Sequence, residues 1–149
     1  MPLVRFDDFI IAMPDEWQDV STVVLLGPED EGFSPNVTIG REELRSTMKP
    51  EKYAAAQLPV LQEALAQCGY QVLEEGPTTA GVVEAYQRLH TFTSAGTGMG
   101  MKQWQVYVIV GTVAITITAT DKAATFDQWS TVFRQTVDGF GFVGRELTG

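Results

Sequence analysis

The sequence predicts an α+β domain in which a mainly antiparallel β-sheet is flanked by two long α-helices. Three observations lead to this fold class. Strand-like segments outnumber helical ones, they are grouped rather than alternating with helices, and residues 101–120 have the pattern of a single β-hairpin. A chain of 149 residues is an ordinary size for one domain, so residues 1–149 are expected to form a single domain.

Three strands are predicted before the first helix. The first spans Phe6 to Met13, the second Ser21 to Leu26 and the third Asn36 to Arg41, and turn-forming or acidic segments separate them. Three consecutive strands indicate an antiparallel meander. The second strand is apolar at every position from Val23 to Leu26, so it is either covered on both faces or keeps one face for a partner.

The first long helix is predicted from Pro50 to Gln67, and Pro50 is well tolerated in its opening turn. Its apolar positions have helical spacing and form one core stripe, made of Ala54, Leu58, Leu61, Leu65 and Cys68. Pro59 removes one backbone hydrogen bond and is expected to kink the helix. Gly69 is expected to cap its C-terminus.

Two strands are predicted between this helix and the hairpin. They span Tyr70 to Glu75 and Val82 to Thr93. The sequence Glu75-Gly76-Pro77 predicts a turn after the first of them, and a loop is predicted from Ser94 to Gly100.

The hairpin that follows has two chemically different faces. If Gly111 and Thr112 form a two-residue type II′ turn, Val110 lies opposite Val113 and the register of the whole hairpin is fixed. One face then consists of Trp, Val, Ile and Ala and is predicted to be core. The other face is uncharged and rich in hydroxyl and amide groups, and it comprises Gln103, Gln105, Tyr107, Ile109, Ala114, Thr116, Thr118 and Thr120. Such a face is suited to binding a partner, or to being covered by one of the chain's own helices.

The last element is a helix predicted from Thr125 to Asp138 and ended by Gly139. The segment from Thr125 to Gln128 has the form of a capping box, in which the first side chain bonds the backbone of the opening turn. The buried stripe of this helix is predicted to be Phe126, Trp129, Phe133 and Val137.

Composition excludes several classes of partner. The chain has 10 basic and 19 acidic residues, a formal net charge of -9, and no basic cluster, which argues against nucleic acid and anionic lipid as partners. Asp7 and Asp8 stand where a signal peptide needs apolar residues, and the longest apolar stretch is shorter than the roughly 20 residues of a membrane span. We therefore expect a cytoplasmic protein that does not insert into membranes.

No residue pattern in the chain indicates catalysis. His90 is the only histidine and Cys68 the only cysteine, and Cys68 lies on the apolar stripe of the first helix, so neither a Cys and His metal site nor a Cys-His catalytic pair is predicted. The glycine-rich segment from Gly96 to Gly100 precedes a strand, whereas a phosphate-binding loop precedes a helix. We expect no enzyme, metal or cofactor. A pocket that brought His90 beside carboxylates would instead indicate an enzyme or a ligand carrier.

Three segments, which run from Met13 to Ser21, from Pro35 to Glu42 and from Tyr53 to Leu58, are distinctive in their order and spacing. Together they resemble the DcrB-like family and, more narrowly, its cytoplasmic Eag (effector-associated) chaperones of bacterial type VI secretion. The resemblance implies a curved antiparallel sheet with flanking helices, similar to PsbP, in a homodimer. It also implies a function: shielding the N-terminal transmembrane helices of an Rhs or PAAR-containing effector in the cytosol and helping to load that effector onto the secretion spike.

The resemblance also suggests which residues contact the effector. Gln57 and Gln103 would supply polar contacts, and Thr22, Val24 and Leu26 would form the apolar part of a groove, which leaves Val23 and Leu25 in the core. The polar hairpin face adds three residues to this predicted binding set, namely Gln105, Thr116 and Thr118. For Gln57, hydrogen bonding to nearby backbone is an equally good interpretation. The alternative function is a PsbP- or DcrB-type assembly or ligand-binding module without a secretion role.

Overall fold

The structure, a computed structural model, describes residues 2–5 and 9–142. Its centre is a curved six-stranded antiparallel sheet with strand order β3-β4-β8-β7-β6-β5. These strands are β3 (Val23–Leu26), β4 (Asn36–Glu43), β5 (Gln71–Ala80), β6 (Val83–Thr93), β7 (Gly100–Val110) and β8 (Val113–Lys122). The other elements are the strands β1 (Leu3–Arg5) and β2 (Ile10–Ala12) and the helices α1 (Pro50–Ala64) and α2 (Phe126–Asp138). The α+β class and the antiparallel sheet are as predicted.

The hairpin of β7 and β8 has the predicted register. Val110 pairs with Val113 across the turn, and Gly111 supplies the positive φ of 59° that the turn requires. Gln105 therefore lies opposite Thr118 on one face, as predicted.

Strand β5 is longer than predicted, and the predicted turn at Glu75-Gly76-Pro77 is wrong. The strand continues to Ala80, and the chain reverses after it at Gly81, whose φ is 58°. Proline is compatible with this position because β5 is an edge strand, where the backbone N–H that Pro77 lacks is not required for pairing.

The predicted N-terminal meander forms only between its second and third strands, β3 and β4. Strands β1 and β2 pair with each other in a separate two-stranded sheet, and residues 6–8 of the predicted first strand lie outside the described residues. Strand β4 pairs with β3 on one side, as expected for neighbours in sequence, but with β8 on the other. The reason is packing: Val37 lies opposite Ala119 and Ile39 opposite Ile117, so β4 extends the apolar face of the hairpin.

Each helix covers a different face of the sheet. Helix α2 lies on the Val and Ile face, where Phe126, Phe133 and Val137 are buried against residues that include Val106 and Ile117. Trp129 is half-buried against the same cluster, so the predicted stripe of α2 is confirmed. Helix α1 lies on the opposite face, where Tyr53 and Ala54 pack with Tyr107 and Ala114.

The C-terminal end of α1 and the N-terminal end of α2 differ from the sequence prediction. Helix α1 ends at Ala64, and its predicted core stripe is fully buried only at Ala54, since Leu58, Leu61, Leu65 and Cys68 are half-buried. The capping box at the start of α2 does not form. The Thr125 hydroxyl instead donates a hydrogen bond of 2.7 Å to the buried carboxylate of Asp121.

Candidate functional site

Helix α1 covers only part of the polar face of the hairpin, and the remainder forms an open groove of about 420 Å³. We call it the polar groove. Its floor is formed by β4, β7 and β8, and the loops before β4 and β7 form its walls. The lining residues carry no charge, and they are Gly32, Phe33, Asn36, Thr38, Phe92, Ser94, Thr97, Met99, Met101, Gln103, Thr118 and Thr120.

A hydrogen-bond network leads to the groove from the buried Arg88 on β6. The guanidinium donates to the Glu75 carboxylate (2.7 Å), to the Ala54 carbonyl on α1 (2.8 Å) and to the Tyr107 hydroxyl (2.9 Å). The Tyr107 hydroxyl donates to the side-chain oxygen Oε1 of Gln105 at 2.5 Å. The side-chain nitrogen Nε2 of Gln105 then donates to the Thr118 hydroxyl at 3.3 Å. We call this the Arg88 network.

A second network runs parallel to it from the buried His90. The ring nitrogen Nδ1 of His90 contacts the Tyr70 hydroxyl at 3.2 Å, and Nε2 contacts the side-chain oxygen Oε1 of Gln103 at 2.8 Å. The Gln103 amide then donates to the Thr120 hydroxyl at 3.1 Å. This His90 network, like the first, ends on a threonine that lines the groove.

Burial and neighbouring charges fix the protonation states in both networks. Burial raises the pKa of Tyr107 to about 12, so its hydroxyl keeps its hydrogen. Burial opposes the charge of Arg88, but the hydrogen bond and the negative charge of Glu75 outweigh it and raise the pKa of the guanidinium. Burial and then the charge of Arg88 lower the pKa of His90, which is therefore neutral at pH 7.

The structure brings together some of the residues predicted to bind the partner. Gln103 and Thr118 line the polar groove, and Gln105 lies opposite Thr118 on the neighbouring strand and donates to its hydroxyl. Thr116 lies farther along the sheet, between Tyr107 and Gly40, and is not part of the groove lining.

The β3 residues are placed differently from one another. Val24 pairs with Thr38, so it belongs to the groove face, and it is 55% exposed. Leu26 pairs with Asn36 but borders a second cleft, between β3, β4 and α2, together with Leu25. Thr22 is exposed just before the strand.

The prediction that Val23 and Leu25 are core residues is wrong. Val23 is 52% exposed and Leu25 is 49% exposed. Both project towards the face that α2 covers, because their partners Ile39 and Val37 pack against the core there. The strand lies at the edge of the sheet, and the helix leaves it only partly covered.

Gln57 is not placed at the groove. It is half-buried on α1, which packs against β6 and β7, and it is not among the residues that line the polar groove.

The sequence reasoning missed several residues of the site. Asn36 and Thr38 were detectable, since they alternate with Val37 and Ile39 along β4, but their place beside β8 depends on the strand order. Arg88 gave no signal, because a single arginine in a strand is usually solvated. Its partners Glu75 and Tyr107 lie on the two neighbouring strands.

Comparison of the sequence with models of protein families assigns the chain to a family. The model of the DcrB family matches residues 10–139. The chain belongs to the DcrB family. Within the described ranges of this DcrB-family protein, no group of three or more His, Cys, Asp and Glu side chains converges as a metal site would require. None of the described helices has the length and apolar character needed to cross a bilayer.

Solved structures share the fold of this DcrB-family protein. The protein of unknown function PA94 from Pseudomonas aeruginosa is 18% identical, with a TM-score of 0.77 over 95% of this chain and 96% of that one. LpqN of Mycobacterium tuberculosis, which is involved in cell envelope biogenesis, is 15% identical, with a TM-score of 0.53 over 83% of this chain and 84% of its own. No curated protein sequence matches closely enough to count as a relative.

The buried neutral His90 predicts a pH-dependent stability. Its pKa is lowered from 6.5 in the folded state, so the unfolded chain binds a proton more readily. The contribution of His90 to the free energy of unfolding should be fully present above pH 6.5 and should fall as the pH drops below that value, by up to about 1.4 kcal/mol per pH unit. Urea unfolding of the wild type and of His90→Gln, at pH 7.5 and 5.5, isolates this contribution. The stability difference between the two proteins should shrink at pH 5.5, and a constant difference would contradict the prediction.

Proposed function

We propose that this protein is a cytosolic chaperone or adaptor that acts as a homodimer. It binds the N-terminal transmembrane helices of a type VI secretion effector of the Rhs or PAAR-containing kind and helps to load it onto the secretion spike. Membership of the DcrB family supports this proposal, together with the resemblance of three ordered segments to the Eag chaperones. In this proposal the curved sheet and its two helices correspond to the PsbP-like fold of those chaperones.

One observation carries the proposal, which is that a bare apolar edge strand adjoins an uncharged groove. All four residues of β3 are apolar, and each is about half exposed or more. An exposed apolar edge strand promotes aggregation, so its presence indicates a surface that a partner covers. The groove beside it offers hydroxyl and amide groups without charge.

This combination suits a transmembrane helix held in water. The apolar surface of such a helix must be removed from water, and its small polar groups need hydrogen-bond partners. The apolar part is available from Val24 and Met99, and the polar part from Gln103 and Thr118. Together they resemble the surface of a neighbouring helix in a membrane.

Co-expression with a candidate effector, chosen as a protein that has N-terminal transmembrane helices and is encoded beside this gene, tests the proposal. The effector should be soluble and should co-purify with this protein, whereas without it the effector should aggregate or be degraded. Measuring the soluble fraction of the effector with and without co-expression gives the answer. An effector that is equally soluble and stable alone would contradict the chaperone function and favour an assembly or ligand-binding module of the PsbP or DcrB type.

A further inference from the structure

We propose that the Arg88 and His90 networks make the β7 and β8 part of the groove floor a surface of hydrogen-bond donors, so that it selects apolar helices carrying unpaired hydrogen-bond acceptors. The inference rests on the proposed function and specifies which helices the groove accepts. Arg88 and His90 are positioning residues in this arrangement, because they act on the groove only through Gln105 and Gln103.

The direction of the Arg88 network follows from the chemistry of arginine. A guanidinium has only donors, so the Tyr107 hydroxyl must accept from Arg88 and use its own hydrogen on the Gln105 carbonyl oxygen. This bond fixes the Gln105 amide with its nitrogen towards Thr118. The Thr118 hydroxyl is thereby an acceptor within the protein.

The His90 network has the same direction. With the Gln103 carbonyl oxygen towards the ring, His90 donates from Nε2 and, being neutral, accepts from the Tyr70 hydroxyl at Nδ1. The Gln103 amide then donates to Thr120. Protonation of His90 would add a hydrogen at Nδ1 only, so the orientation of Gln103 does not depend on it.

Both networks therefore leave hydrogens to be donated at the groove floor. Thr118 and Thr120, the latter only 7% exposed, each accept from a glutamine and retain a hydroxyl hydrogen that makes no hydrogen bond within the described residues. Gln103 also has a second amide hydrogen. A purely aliphatic helix would bury these donors without partners, which is costly. A Ser or Thr hydroxyl oxygen in the bound helix would accept from them. So would a backbone carbonyl that is left unpaired because a proline in the next turn has no N–H.

A pair of synthetic peptides isolates this effect. Both are Lys-flanked Leu-Ala helices, one with a central O-methylserine and the other with norvaline, which differs only by a methylene in place of the ether oxygen. The full-length protein should bind the ether peptide about fivefold more tightly in calorimetry, the effect of one added hydrogen bond. Tight but equal binding would overturn this inference alone, whereas binding of neither peptide would overturn the proposed function as well.

Variants assign the preference to the Arg88 network. Tyr107→Phe removes the link to Gln105 and should at least halve the affinity ratio between the two peptides, and Gln105→Glu, which can only accept, should do the same. Tyr86→Phe is the matched control, because it removes a hydroxyl from the residue that pairs with Tyr107 and should keep the ratio at about fivefold. General destabilisation of the protein would weaken the binding of both peptides alike and leave the ratio of their affinities unchanged.

Nuclear magnetic resonance of the free protein tests the positioning without any peptide. The side-chain amide of Gln105 should be ordered in the wild type and in Tyr86→Phe, and mobile in Tyr107→Phe. An amide as mobile in the wild type as in Tyr107→Phe would overturn the positioning role of the network.

Discussion

Replacing Arg88 with methionine should lower the free energy of unfolding by about 3 kcal/mol. Arg88 is 1% exposed and holds together β5, β7 and α1 through Glu75, Tyr107 and the Ala54 carbonyl. Removing one partner of a buried ion pair leaves the other charge unpaired and typically costs about 3 to 5 kcal/mol. The lower value applies because the Glu75 side chain remains 32% exposed and can be hydrated.

Urea unfolding at pH 7.5 measures this loss, and hydrogen exchange locates it. Amides of α1 should exchange faster in Arg88→Met, because the variant loses the bond to Ala54. The matched control is Arg45→Met, at an exposed arginine, where we expect a change within about 0.5 kcal/mol. A loss below about 1 kcal/mol in Arg88→Met would show that the network contributes little to the fold.

Replacing Val24 with glutamate should weaken effector binding about 30- to 150-fold without unfolding the protein. Val24 is more than half exposed in the free chain, so a charge there remains hydrated until a partner covers it. In the complex the carboxylate would be buried against an apolar helix, at a cost of about 2 to 3 kcal/mol. A titration of the purified effector segment against each variant measures the change in affinity.

The control for this experiment is Val82→Glu. Val82 is 63% exposed in the turn between β5 and β6, at the opposite edge of the sheet from β3. The Val82→Glu variant should therefore bind the effector as tightly as the wild type does. Light scattering on the same samples separates loss of the effector from loss of a homodimer. Unfolding of Val24→Glu would show that Val24 belongs to the core.

Local sequence patterns were reliable where one short-range rule governs the structure. The hairpin register followed from Gly111, because a two-residue turn fixes every pair beyond it. The stripe of α2 followed from helical spacing, because a single helix face packs on the sheet. Patterns failed at Glu75-Gly76-Pro77, where the residues of a turn are equally compatible with an edge strand.

By itself, the sequence determined the α+β class, the two faces of the hairpin and an uncharged polar surface on one of them. Only the tertiary structure decided that β4 lies beside β8, that α1 leaves part of this surface open, and that Arg88 and His90 orient its glutamines. The physical reason is the distance in sequence between the partners. Alternation along a strand tells which side a residue faces, but the residue it meets depends on strand order, which packing of the whole chain decides.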